Sequence, residues 1–221
     1  MILGIVHYVK YINFVILIIM RNYIISSLFI ILISATVYTF IKDIKPEGII
    51  KQEPEIQDFP KLYESLKYKF SIYLPKKYTI DEDYKYAFMP DNSISGVSFA
   101  IEEDDYKGTN LSKDSYISVE MISDVNIPCK IESFLDNVIY SGIIEEQDNH
   151  IFAVASSTDA GAGNRYEQTV YVTPVEGGCS AIRYFIHYGV FENYPIDTIK
   201  EFDRQKLLNK FDAIRKSIKY E

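Results

Sequence analysis

The chain has no tryptophan, two cysteines and three histidines in 221 residues, and none of its 31 acidic residues precedes Ile41. Each shortage excludes something. Two cysteines, Cys129 and Cys179, are too few for a disulfide-dense scaffold. Only His150 and His187 lie beyond the N-terminal segment, so no histidine-based metal centre is expected. No Gly-x-Ser-x-Gly and no His-Glu-x-x-His occurs, which removes two hydrolase signatures. The acidic clusters Asp81-Glu82-Asp83, Glu102–Asp105 and Glu145-Glu146 lack the spacing of a calcium loop. No cofactor is expected. The part after Ile41 carries 21 of the 23 basic residues against all 31 acids, which argues against nucleic acid and against an anionic membrane surface as electrostatic partners.

What is present begins with charge-free Tyr23–Ile41, YIISSLFIILISATVYTFI. As a helix it reaches about 28 Å, close to the hydrocarbon thickness of a bilayer. Tyr23, Tyr38 and Phe40 lie near its ends, where aromatic rings favour the interface. The expected organisation is an N-terminal segment 1–22, a single transmembrane anchor 23–41, a tether 42–66 and an extracytoplasmic domain 67–221. A cleaved signal peptide is the competing reading, with Ala35 a tolerable cleavage residue, and Met20 is an alternative start. No cysteine follows the apolar run, so lipoprotein processing is excluded. Flanking charge does not decide orientation. The length of the C-terminal part and its two cysteines favour an oxidising, extracytoplasmic side, periplasmic or extracellular.

The tether is punctuated by Pro46, Pro54 and Pro60. Beyond it, Phe70–Tyr73, Lys77–Ile80, Gly96–Ile101 and Tyr116–Ile122 read as strands, with 102–115 a polar loop. Cys129–Leu135 reads as a short helix. Val138–Glu145, His150–Ser157, Arg165–Thr173 and Cys179–Val190 follow as a four-strand antiparallel meander with turn-like separators. On the last strand Ile182, Tyr184, Ile186, Tyr188 and Val190 form the core face, and Arg183, Phe185 and His187 face away. A final helix starts near Asp203 and repeats Leu207, Leu208, Phe211, Ile214 and Ile218 at helical spacing, with Arg215, Lys216 and Lys219 suiting its dipole. The fold class is α+β, an antiparallel sheet covered on its apolar face by this helix.

FSIYLPKKYTIDEDYKY (70–86), GTNLSKDSYISVE (108–120), SSTDAGAGNRYEQTVY (156–171), CSAIRYFIHYGVFENYP (179–195) and EFDRQKLLNKFDAIRKS (201–217) resemble a family of uncharacterised bacterial membrane-anchored envelope proteins. The opening strand ending in Leu-Pro and the closing Phe-x-x-Ile-x-x-Ser helix also look like the PsbP fold. The resemblance implies a PsbP-like domain and no assigned activity.

Four polar residues are the candidate site. Arg165 and Glu167 share a face of one strand, and Arg183 and His187 share a face of the next. Were those faces to coincide, two guanidiniums, a carboxylate and an imidazole would cluster where an anionic ligand or an acidic segment docks. A salt-bridged sheet face or strand-to-loop packing is the plainer reading. Cys129 and Cys179 either pair, closing a loop worth roughly 4 kcal/mol on the chain-entropy account, or stay buried thiols. The glycine-rich stretch Asp159–Asn164 lacks the Lys-Ser/Thr of a phosphate loop and reads as a hairpin loop. The function expected is a membrane-anchored binding or accessory domain of the cell envelope with an envelope protein partner. The alternatives are an enzyme using Arg165, Glu167, Arg183 and His187, or a structural spacer.

Overall fold

A computed structural model describes residues 59–89, 92–147 and 149–221, within one compact unit, Gln52–Glu221. Among the described residues no helix is long and apolar enough to cross a membrane. The candidate anchor 23–41 lies outside them, as do 1–22 and most of the tether.

The meander forms as its short separators require. β7 (Tyr140–Gln147), β8 (His150–Gly161), β9 (Asn164–Val175) and β10 (Gly178–Gly189) pair antiparallel in sequence order. The stretch Asp159–Asn164 is not a six-residue loop. β8 and β9 run into it from both sides and leave a two-residue turn, with Ala162 at φ +48° and Gly163 at φ +81°. Positive φ at both central positions matches the twist of the strands, and glycine takes it without cost.

The sheet continues through β6 (Tyr116–Ile122) and β5 (Asn92–Ala100) to β3 (Thr79–Asp81), while β4 (Lys85–Met89) pairs with the other half of β5. β5 and β6 lie close because Gly96 has no side chain: a Cβ there would stand 2.2 Å from the Val119 carbonyl oxygen. A second, three-stranded antiparallel sheet has the order β1 (Lys61–Ser65), β2 (Phe70–Leu74), β11 (Lys219–Tyr220). β1 lies inside the stretch 42–66 expected as tether. Its charges and the preceding proline hide a strand that pairs along its whole length with β2.

One face of the large sheet carries Val97, Phe99, Ile117, Val119, Val154, Ile182, Tyr184 and Ile186. It is covered by the small sheet's Phe70, Ile72 and Leu74 and by Leu207, Phe211 and Ile214 of α2 (Arg204–Lys216). Asp203 caps α2 as expected, its carboxylate accepting from the Lys206 amide at 2.9 Å. Arg215 stands in the last turn of α2, where it suits the dipole, and its side chain does more. It is buried, donating to the Tyr184 hydroxyl (2.9 Å), Gln147 (3.0 Å) and Glu145 (2.7 Å), with its guanidinium 4.1 Å from the Tyr171 ring centre. It latches the helix to the far edge of the sheet. The stretch 102–115 likewise is more than a loop. It opens with α1 (Glu103–Tyr106), and Asp105 and Glu102 both accept from Lys210 of α2.

The opposite face is packed as well. Phe134 and Leu135 cover part of it, packing with Ile94, Ala155, Val170, Val172, Cys179 and Ala181, the strand-to-loop packing of the plainer reading. The expected helix at Cys129–Leu135 shrinks to one 3-10 turn, Ile131–Ser133. What holds this covering segment is a disulfide between Cys129 and Cys179, with Cα atoms 5.2 Å apart.

Candidate functional site

Strand register decides the fate of the four candidate residues. β9 and β10 join through the two-residue turn Glu176-Gly177, so Arg183 stands opposite Val170, His187 opposite Tyr166, Ile186 opposite Glu167 and Tyr188 opposite Arg165. Directly opposed residues share a face. Arg183 and His187 therefore point to the face under the disulfide-held segment, and Arg165 and Glu167 to the other. The two pairs do not converge, and the proposed four-residue site does not exist.

Arg183 is fully buried in a bidentate pair with Glu120, itself fully buried. Nε donates to Glu120 Oε1 at 2.6 Å and Nη2 to Oε2 at 2.8 Å. Nη1 donates to Gln168 (2.6 Å) and Nη2 also to the Phe134 carbonyl (2.6 Å). The Tyr86 ring lies 3.6 Å from the guanidinium carbon. Glu120 accepts further from Tyr84 (2.9 Å) and Ser118 (3.0 Å). Burial opposes the Arg183 charge, but the Glu120 carboxylate outweighs it and raises the guanidinium pKa. This cluster rivets the covering segment to the sheet and leaves no donor facing outward. Among the described residues no buried side-chain nitrogen or oxygen lacks a partner.

On the uncovered half of the same face, His187 Nδ1 sits 2.8 Å from Asp114 Oδ1, and its Nε2 sits 3.0 Å from Asn164 Oδ1. Burial raises the Asp114 pKa, but hydrogen bonds from Ser112 and His187 prevail and hold it below the ordinary value. Both ring nitrogens thus have a partner within the domain, which fixes the ring in place. Ser115 touches its backbone and not its ring. Beside it runs an aromatic row. Tyr166 stacks on His187 (4.5 Å between ring centres), Phe185 lies 6.2 Å from Tyr166 and stacks on Tyr116 (5.0 Å), and Tyr84 meets Tyr116 edge-on (5.4 Å). All are partly exposed.

On the other face, Glu167 accepts from the Tyr188 hydroxyl (2.9 Å) and from Arg204 of α2 (2.6 Å). Exposed Arg165 borders an open cavity of about 450 Å³ with Thr158, Asp159, Tyr166, Glu167 and Tyr188. One guanidinium and two carboxylates line it, and Glu167 is already paired with Arg204. Among the described residues no three His, Cys, Asp or Glu side chains are close enough to hold a metal.

Asp114, Glu120 and Gln168 escaped the sequence reading. Glu120 had a signal: a carboxylate inside a strand, in step with Ser118, is out of place unless a buried cation answers it.

The tyrosines give this interior a pH signature. Burial pushes Tyr116 and Tyr171 up to about 12, and burial with a hydrogen bond to Glu82 does the same for Tyr63. Burial, aided by the Glu120 charge, raises Tyr84 further. These rings keep their protons when folded, but unfolded they lose them near the ordinary value of 10.0. The stability they confer is thus intact below pH 10.0 and falls as the pH rises through about 12. A near-ultraviolet titration is expected to show exposed tyrosines ionising first and the buried set only together with loss of the folded circular-dichroism signal. A single smooth titration with no linked unfolding would contradict this.

No family model and no curated protein sequence matches the chain. Among solved structures it is similar to a crystal structure of a protein from Bacteroides thetaiotaomicron, with 10% identity over 73% of this chain and 48% of that one, at a TM-score of 0.39. The chain spans about half the length of that protein, and a likeness this loose assigns neither a fold family nor an activity.

Proposed function

We propose that the chain is a membrane-anchored, extracytoplasmic binding or accessory domain of the cell envelope, held by a single N-terminal span at 23–41 and without catalysis of its own. One observation carries the preference for binding over chemistry. The polar residues that looked catalytic lie on two faces, and Arg183, Glu167 and His187 are each engaged by neighbours in the same domain. The disulfide supports an oxidising compartment. An antiparallel sheet closed by a C-terminal helix is compatible with the PsbP-like resemblance. The partner surface in this reading is the aromatic row Tyr84, Tyr116, Phe185 and Tyr166, since partly desolvated aromatics beside polar groups are what protein hot spots are made of.

The test is purification of the full chain from its own membranes beside a Tyr166→Ala/Phe185→Ala variant. Alkaline carbonate is expected to leave both in the membrane, and an envelope protein to accompany the first but not the second. Release of the chain by carbonate, or an unchanged partner, would contradict the reading.

A further inference from the structure

The ion pairs Lys77–Asp104 and Lys107–Glu103 lie in water, with every side chain at least 61% exposed. Lys210 of α2 is placed differently. Its ammonium donates to Asp105 Oδ1 and, at 3.4 Å, to Glu102 Oε1. The side chains of Lys210, Asp105 and Glu102 are only 18%, 9% and 16% exposed. Along α2, Lys210 stands between Leu207 and Phe211, which both enter the core. Asp105 and Glu102 share one turn, closed by the Asp105 amide donating to the Glu102 carbonyl at 3.0 Å. The second Asp105 oxygen, Oδ2, accepts from the Tyr78 hydroxyl at 3.3 Å. Burial and the Asp105 charge raise the Tyr78 pKa well above the ordinary value, so this hydroxyl stays a donor. The Tyr78 ring centre lies 5.8 Å from the Lys210 nitrogen.

A nitrogen nucleophile on a carboxyl group, a second carboxylate on that nitrogen and a hydroxyl on the carboxyl oxygen are the parts that amide formation uses. We propose that Lys210 and Asp105 condense to an intramolecular isopeptide bond, with Glu102 moving a proton and Tyr78 holding the oxyanion. The Lys210 ammonium passes one proton along its hydrogen bond to Asp105 Oδ1. The freed lone pair of Nζ attacks Cγ, and the Tyr78 hydroxyl meets the negative charge that gathers on Oδ2. Glu102 takes a second proton from Nζ and gives it to Oδ1. The Cγ–Oδ1 bond breaks, water leaves, and the carbonyl re-forms at Oδ2. One ammonium and one carboxylate become one amide and one water. Glu102 and Tyr78 end as they began, and no co-reactant is consumed. Between free groups in water this condensation runs uphill, but groups held in contact reach an effective concentration of about 10⁵–10⁸ M. Withdrawal from water also removes the hydration that keeps such groups ionic. The bond fastens α2 over one face of the large sheet, as the disulfide fastens the segment over the other.

The test follows the full chain, freshly translated in vitro with detergent, by tryptic digestion and mass spectrometry at intervals after folding. Segments 86–107 and 207–215 are expected to leave as one branched peptide, lighter than their sum by one water and uncleaved at Lys210. Chain held in urea should give none. Lys210→Arg keeps the ion pair and cannot condense, so it should fold, show no branched peptide and melt below the linked chain. Glu102→Gln should fold to the same circular-dichroism spectrum and form the link about 10²-fold more slowly. Folded wild-type chain that releases 86–107 and 207–210 as separate peptides at every interval overturns the proposal. A folded Glu102→Gln chain that links at the wild-type rate overturns the mechanism, as does equal linking in urea.

Discussion

Arg183→Met is expected to cost the domain about 3–5 kcal/mol, because it strands the Glu120 carboxylate in the interior. In a domain of this size that lowers Tm by roughly 6–20 °C. The reason is geometric. Glu120 lies on β6 and Arg183 beside it on β10, both without solvent, and the guanidinium satisfies both carboxylate oxygens. Glu120→Leu alone is expected to be comparably damaging, since it leaves a buried cation with only Gln168 and the Phe134 carbonyl. The double variant should recover at least half of the loss, because an apolar pair of similar volume carries no desolvation penalty. A residual cost of about 1–2 kcal/mol remains for the orphaned Phe134 carbonyl. Denaturant unfolding of the four proteins measures the coupling directly. Additive single effects would mean that the pair is not the closed unit described.

The second large effect belongs to the disulfide. Removing it by Cys129→Ala/Cys179→Ala is expected to cost about 2–5 kcal/mol, as its two ends are 50 residues apart in sequence. The loss has a location. Phe134 and Leu135 cover the second face from a segment that the Cys129–Cys179 bond ties to the start of β10 and the Arg183–Phe134 hydrogen bond holds from beneath. Hydrogen exchange should therefore rise first in 123–139, with the β7–β10 meander still protected. The two large effects should also interact, because the Phe134 carbonyl receives Arg183. Combining Arg183→Met with the cysteine variants is expected to cost less than the sum. Uniform loss of protection across the sheet would instead mean that the covering segment and the meander form one cooperative unit.

Much of the fold was legible because it was written in short-range patterns. β7 to β10 announce themselves through alternation and brief separators, β6 through Ile117 and Val119, and α2 through its apolar spacing and the Asp203 cap. β1 was not legible: KLYES after a proline carries no apolar alternation, and only pairing with β2 makes it a strand. The covering of the second face was hidden too, since Phe134 and Leu135 reach it from a segment with almost no regular structure. The candidate site failed on parity. A two-residue connection between β9 and β10 places odd-numbered residues of the two strands on opposite faces, so Arg165 and Arg183 part company. The sequence marks a turn between Pro174 and Gly178 but not its length, and one residue either way would have reversed the conclusion.

The reading as an exported domain rests most directly on the state of Cys129 and Cys179 in intact cells. Trapping free thiols with a maleimide before lysis, then weighing the denatured full chain, measures it in one step. An exported domain predicts a chain without maleimide that accepts two only after reduction. A chain that takes up two maleimides without reduction would place both cysteines in a reducing compartment and contradict the account.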